Sequence, residues 1–141
     1  MSSQDAGLRE HAHTHPVWLP DGRHVVAVVQ PIGRVSRLVR FTVATGARRT
    51  LVRGWVESVT VSPDGSQVAY TLRNRRRTVW TDIGVVPAGG GRARLLTHDH
   101  RSAWPAWGVH GIAFSHAMQI GWEDDRADLW LIQPDGSGVR T

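Results

Sequence analysis

The chain has 141 residues, a formal net charge of +5 from 17 basic and 12 acidic residues, 15 glycines, 7 prolines and no cysteine. That length buries one core and hardly two; so much glycine and proline, without a sustained apolar period of 3.6, leaves helix a minor component; and the lack of cysteine excludes disulfides and thiolate metal sites. Every basic residue is arginine, read first as a coding bias, and the positive charge favours salt-sensitive attraction to polyanions without by itself defining a nucleic-acid binder.

Residues 1–14 are polar and without pattern, and are expected to form a tail that is disordered or packed along an edge. They hold no apolar run of seven or more, so neither a signal peptide nor a membrane anchor is expected, and a cytoplasmic location follows. Order is expected from His15. Val17 to Leu19, the turn Pro20-Asp21-Gly22 and the β-branched run Val25 to Val29 read as a hairpin. Val35 to Ala44 reads as a third strand, Thr45-Gly46 as a turn, and Ala47 to Arg53 as a fourth strand.

The same order then recurs. Val59 and Val61 alternate with polar neighbours before Pro63-Asp64-Gly65, and Val68 and Tyr70 alternate after it. Proline presets the backbone at such a turn, aspartate bonds its own backbone two residues on, and glycine supplies positive φ. Thr78 to Val86, Pro87 to Gly91 and Arg92 to Thr97 complete this repeat. A third copy runs through Ser102 to Trp107, Ile112 to Phe114, Asp128 to Ile132 and Pro134-Asp135-Gly136 to Thr141, with Gly108 to Gly111 in place of its first Pro-Asp-Gly. Pro20 and Pro63 are 43 residues apart, the period of a four-stranded propeller blade.

PVWLPDGRHVVAV, VTVSPDGSQVAY and PAWGVHGIAFS, followed in turn by RRTLV, RARLLT and GVRT, resemble the TolB-type β-propeller repeat. The resemblance implies an all-β chain of about three four-stranded antiparallel blades, near 15–54, 55–98 and 99–141. Propellers close with typically 4 to 8 blades, so an open or incomplete arc is expected: a fragment, a decayed reading frame, or an arc completed by another chain. The unit occurs in TolB, in propellers that cap prolyl-oligopeptidase-like hydrolases, and in many other proteins, so the fold does not transfer a role. TolB itself carries an export signal, and a longer N-terminus of that pattern would make the location periplasmic. A non-catalytic protein- or peptide-binding scaffold is the first expectation. The alternative is the propeller portion of a prolyl-oligopeptidase-like hydrolase or glycan-processing enzyme whose catalytic part lies elsewhere.

The resemblance places loops 30–36, 73–78 and 117–127 on the rim opposite the Pro-Asp-Gly turns, where propellers generally bind. Its most charged loop holds Arg73, Arg75, Arg76 and Arg77, expected beside His98, His100 and Arg101. Guanidinium forks suit carboxylate or phosphate, although a solvated hairpin tip in an arginine-biased protein is the plainer reading. Of Trp18, Trp55, Trp80, Trp104, Trp107, Trp122 and Trp130, most fall at positions expected to pack between blades, and Trp122, in a loop, is the one singled out for stacking a ligand. His11, His13 and His15 alternate, but with Glu10 alone nearby they fall short of a zinc set, and His98-Asp99-His100 reads as a locally bonded loop. Glu123, Asp124, Asp125 and Asp128 lack the spacing of a calcium loop and read as a charged loop. No Gly-x-Ser-x-Gly elbow and no phosphate-cradling glycine loop is present. No catalytic residue, metal or cofactor is therefore expected. The expected partner is a protein or peptide, ahead of an anionic ligand or nucleic acid, with no membrane partner and with self-association as a way to cover open blade edges.

Overall fold

A computed structural model of the chain describes residues 11–12, 16–30, 34–74, 80–117 and 127–141. Among them twelve strands form three antiparallel sheets, laid out in chain order as three blades. The first blade contains β1 (His11–Ala12), β2 (Val17–Trp18), β3 (His24–Gln30), β4 (Arg37–Thr42) and β5 (Arg48–Arg53). The second contains β6 (Trp55–Val61), β7 (Gln67–Arg73), β8 (Thr81–Pro87) and β9 (Arg94–Leu95). The third contains β10 (Ser102–Gly108), β11 (Gly111–Ala117) and β12 (Ala127–Ile132).

Both β1 and β2 pair with β3, Ala12 opposite Val29 and Trp18 opposite Val25, so they act as two pieces of one innermost strand. Ordered pairing thus reaches back to His11, into the stretch read from sequence as a tail. The fourth strand of the third blade is reduced to a bridge in which Leu131 and Arg140 exchange backbone bonds of 2.7 and 3.0 Å. In the second blade the fourth strand shortens to two residues, because Thr97 turns its hydroxyl inward to accept the Ile83 N–H at 2.9 Å and donate to the Asp82 carboxylate at 2.9 Å.

Pro-Asp-Gly builds the same turn three times. Gly22, Gly65 and Gly136 each donate back to the carbonyl three residues before, at 3.1, 2.9 and 2.9 Å, and each has positive φ. The aspartates accept from the backbone N–H two residues on: Arg23 at 2.8 Å, Ser66 at 3.0 Å and Ser137 at 2.9 Å. Asp64 also accepts the Ser62 and Ser66 hydroxyls, both at 2.7 Å. These bonds, the Ser66 N–H first, hold its carboxyl at about 2, well below the ordinary 3.8. A Cβ on Gly65 would meet the Pro20 ring at 2.8 Å, so the turns of the first two blades also stack on one another.

The core lies between blades, in two layers that share the second blade. Period-two alternation along β7 sends Val68 and Tyr70 toward Val26, Val28 and Leu38 of the first blade. It sends Ala69 toward Ile112, Phe114 and Ile132 of the third. Each such fully buried large apolar side chain contributes about 1.5–3 kcal/mol. Tyr70 stands opposite Gly84 and covers it, leaving 2.4 Å for a Cβ, and burial pushes the phenol up to about 12.

The innermost strand of the third blade, β10, runs along both β6 and β7 of the second. The Trp104 N–H donates to Thr71 Oγ1 at 3.0 Å and the Trp107 N–H to Thr60 Oγ1 at 3.1 Å. A bulge between Ala103 and Ala106 accompanies a positive φ of 57° at Trp104. Trp104 is 64% exposed and Trp18, on the innermost strand of the first blade, 59% exposed. Both depart from the expectation that these tryptophans pack between blades, and the reason is positional: innermost strands have one face turned away from their neighbours.

Candidate functional site

On the rim opposite the Pro-Asp-Gly hairpins of the first two blades, the chain forms a cleft of about 610 Å³ between those blades. Three segments build it: the β3–β4 loop at 34–36, the link between blades at 53–55, and the end of β7 at 72–74. The size is that of a small-ligand or side-chain pocket.

Its floor is tied by Ser36. The Ser36 hydroxyl donates toward the carbonyls of Gly54 at 2.9 Å and Val56 at 3.2 Å and accepts the Val56 N–H at 2.9 Å, while its carbonyl accepts the Gly54 N–H at 3.1 Å. Gly54 has φ 150°, and a Cβ there would lie 3.1 Å from Leu72 Cδ1. Glycine is what lets the link cross so near β7.

Around that floor stand Arg34, Arg37, Arg53 and Arg73, with Trp55 and Leu72 as apolar wall. None of the ten described residues that line it carries a carboxylate. Arg37 lies directly opposite Arg53 in the β4–β5 register. Arg73, opposite Trp55 in the β6–β7 register, is paired through its Nε and Nη2 with Glu57, which stands at the bulge of β6. Thr81 pairs with Arg73 on one side and bridges to Arg101 on the other.

Of the residues singled out from sequence, Arg73 enters this cleft and Arg101 stands one strand beyond Thr81. Arg75, Arg76, Arg77 and Trp122 lie outside the described residues, as do His13, His15 and Glu10, the acidic run 123–125 and the side chain of His11. His98 is exposed. His100 joins a longer-range network than a local loop: its N–H donates to Asp82 Oδ1 at 3.0 Å, its Nδ1 lies 2.6 Å from Asp82 Oδ2, and its ring stacks on Trp80 at 4.7 Å. These bonds account for the positive φ of His100, 62°. Asp99 in turn accepts from the Arg101 N–H at 3.1 Å and the Ser102 hydroxyl at 2.9 Å, and lies 3.0 Å from His116 Nε2, whose ring stacks on Trp130 at 3.8 Å. His98-Asp99-His100 therefore splices the second blade to the third. Among the described residues no group of three or more His, Asp and Glu could hold a metal ion.

Sequence reasoning missed Arg34, Arg37 and Arg53. Each is a single arginine in an arginine-rich chain, and the signal that could have found two of them is the register of β4 and β5, which sets them opposite one another.

No family model and no curated protein sequence matches the chain. Solved structures do. A TolB-type protein of Agrobacterium tumefaciens is 19% identical at a TM-score of 0.71, over 90% of this chain and 48% of that one. The acylaminoacyl peptidase of Pyrococcus horikoshii is 14% identical at 0.70, over 89% of this chain and 24% of that one. A chain of a nidogen/laminin complex is 18% identical at 0.61, over 84% of this chain and 43% of that one. The fold is that of a TolB-type β-propeller, present here as a three-bladed part that spans less than half of each of these chains. Propellers of this form serve both TolB and hydrolases, so the fold alone assigns neither role.

Proposed function

We propose that the chain is a non-catalytic propeller module that binds a protein or peptide segment at the rim cleft between its first two blades. The observation that carries this reading is the cleft itself: about 610 Å³, built by loops of two blades on a rigid sheet scaffold, with convergent polar groups on an apolar wall. The similarity to a chain of a nidogen/laminin complex supports a protein partner in general. The non-catalytic part of the reading rests on the sequence, which has no nucleophile elbow.

Peptide display against the purified chain tests it. Enriched peptides are expected to bind the parent and to lose about tenfold in affinity to Trp55→Ala, a truncation of the cleft wall. Peptides indifferent to Trp55→Ala would remove the cleft from the reading. A second reading, the propeller portion of a hydrolase, is favoured by the similarity to acylaminoacyl peptidase; it predicts a Gly-x-Ser-x-Gly domain in the same reading frame, which sequencing of the surrounding locus decides.

A further inference from the structure

We infer that the outward face of the third blade is a self-association surface, on which two copies of the chain pack third blade against third blade about a two-fold axis, with Trp104 as the anchor. The inference is independent of the cleft and of the ligand the cleft takes.

The two ends of the arc differ. In β3 and β4, Ala27, Val29 and Val39 alternate with the residues that meet the second blade, and all three are buried. That end is closed. In the third blade Ile112, Phe114 and Ile132 turn to the second, so alternation sends Ala113, Ser115, Leu129 and Leu131 the other way. Leu129 there is 72% exposed. A chain with one open face closes by a two-fold contact with its own copy, whereas two complementary open ends would go on adding chains or form a ring.

The open face is not built to receive a further blade of the same kind. The second blade receives the third with hydroxyls: Thr60 and Thr71 accept the Trp107 and Trp104 N–H groups at 3.1 and 3.0 Å, and Ser58 shares a 2.6 Å hydrogen bond with Thr71. Trp107 pairs with Ile112 as Val61 pairs with Val68, so Ala106 and Trp104 occupy in the third blade the places of Thr60 and Ser58. One acceptor is thereby lost, and an indole, 64% exposed, replaces a small hydroxyl side chain. Trp104 has φ 57°, a left-handed conformation that is unfavourable for a bulky residue and concentrates at functional surfaces. What remains is an apolar surface around the single hydroxyl of Ser115.

That surface is complementary to itself. Its inner strand carries Trp104 and Ala106, its middle strand Ala113 and its outer strand Leu129 and Leu131, with Ala106, Ala113 and Leu131 in one cross-strand row. A two-fold axis along β11 lays the outer strand of one copy over the inner strand of the other, Leu131 on the partner's Ala106 and Leu129 against the partner's Trp104. Large side chains then meet a small one or an aromatic ring, as the facing sides of packed sheets do. The area sets the strength. A tryptophan buries about 150–250 Å², and with two leucines the face offers roughly 400 Å² per copy, against about 800 Å² per partner in a standard interface. The dimer is accordingly weak and dependent on concentration.

Sedimentation equilibrium of the full chain from about 1 µM to about 1 mM, the span of weak association, tests the inference. The parent is expected to dimerise within that range, and Leu129→Glu and Trp104→Ser each to weaken the dimer at least about tenfold. Trp55→Ala, in the cleft, should dimerise as the parent does. The chain has no cysteine, so Ala113→Cys, on the axis, should be joined to a second copy by a short bismaleimide, and Thr45→Cys, at the exposed β4–β5 turn, should not. A monomer throughout the range would overturn the inference, as would a dimer that both variants leave unchanged, since the contact would then lie elsewhere. Assemblies larger than the dimer would mean that both ends of the arc bind, against the two-fold. Should Leu129→Glu not fold, Trp104→Ser and the Ala113→Cys cross-link decide, and absence of that cross-link would count against the axis.

Discussion

Arg40 and Arg49 face one another across the β4–β5 ladder just as Arg37 and Arg53 do a turn of the strand away, yet the two ends of the ladder are put to different use. At the first end, Arg40 donates to the Ala88 carbonyl at 2.8 Å, and the Arg49 guanidinium lies against Gly90, so near that a Cβ there would meet its Nε at 2.4 Å. The charge is spent on the outer turn of the second blade, and the pair fastens two blades together. At the second end, Arg37 and Arg53 line an open cleft beside Arg34 and Arg73. The same residue type in the same cross-strand relation fastens two blades where a neighbouring carbonyl is within reach, and lines a cleft at the other end. What separates the two is the face of the strand: Arg40 shares the side of Leu38, which packs toward the second blade, and Arg37 takes the other.

The largest effect expected from disturbing this contrast lies at Gly54, which holds the open end in shape. Gly54→Ala places a side chain at φ 150° and 3.1 Å from Leu72 Cδ1, and should destabilise the fold by about 2 kcal/mol. Gly89→Ala, at the fastened end, has only Arg40 Nη1 within 4 Å, at 3.9 Å, and no positive φ; it should stay within about 0.5 kcal/mol of the parent in urea unfolding. Comparable losses from the two variants would erase the distinction between the ends.

Arg40→Ala comes next. It leaves the Ala88 carbonyl without this donor, and should cost about 1–2 kcal/mol of stability with peptide affinity unaltered. A loss of affinity with no loss of stability would reverse the roles assigned to the two pairs.

Acid titration sharpens the comparison, because arginines keep their charge throughout the acidic range. Acid-sensitive stability must then come from carboxylates. Asp64, held at about 2 in the fold against an ordinary 3.8, binds fewer protons folded than unfolded. Its contribution is present above pH 4 and is lost as the pH falls through the interval from about 4 to about 2. Asp21, lowered chiefly by the Arg23 N–H, and Asp135, lowered chiefly by the Ser137 hydroxyl, act in the same direction. In chemical unfolding at a series of pH values, Asp64→Asn should flatten the acid limb of the stability profile. An unchanged limb would mean that the turn carboxylate does not report on folding.

The smallest effect belongs to the cleft. Arg53→Ser, at an exposed position, should shift stability by no more than about 0.5 kcal/mol. A clear destabilisation would make Arg53 structural, like Arg40 and Arg49.

The blades were legible in the sequence to a considerable depth. Pro20, Pro63 and Pro134 each head a turn whose aspartate and glycine make the same backbone bonds, since those residues act through local conformation that no tertiary contact needs to supply. The alternation of Val68 and Tyr70 with Ala69 likewise anticipates two core layers. Where local signals were pressed further they misled. His98-Asp99-His100 reads as a self-contained loop, but the ring of His100 is held by Asp82, 18 residues earlier, and Asp99 lies against His116, 17 residues later. Trp18 and Trp104 are exposed because of which strand of the blade they occupy, a matter of sheet order and not of neighbouring residues.

By itself, then, the sequence determined the unit: a four-stranded blade with specified turns, repeated at a propeller's period, because turn chemistry and period-two burial are local properties. Only the tertiary structure decided where a site lies. Arg34, Arg37, Arg53 and Arg73 come from a loop, two facing strands and the neighbouring blade, and they become one cleft only when the first two sheets dock and Gly54 lets the link pass close to Leu72. Proximity of that kind depends on how the sheets dock through space, which no local pattern encodes.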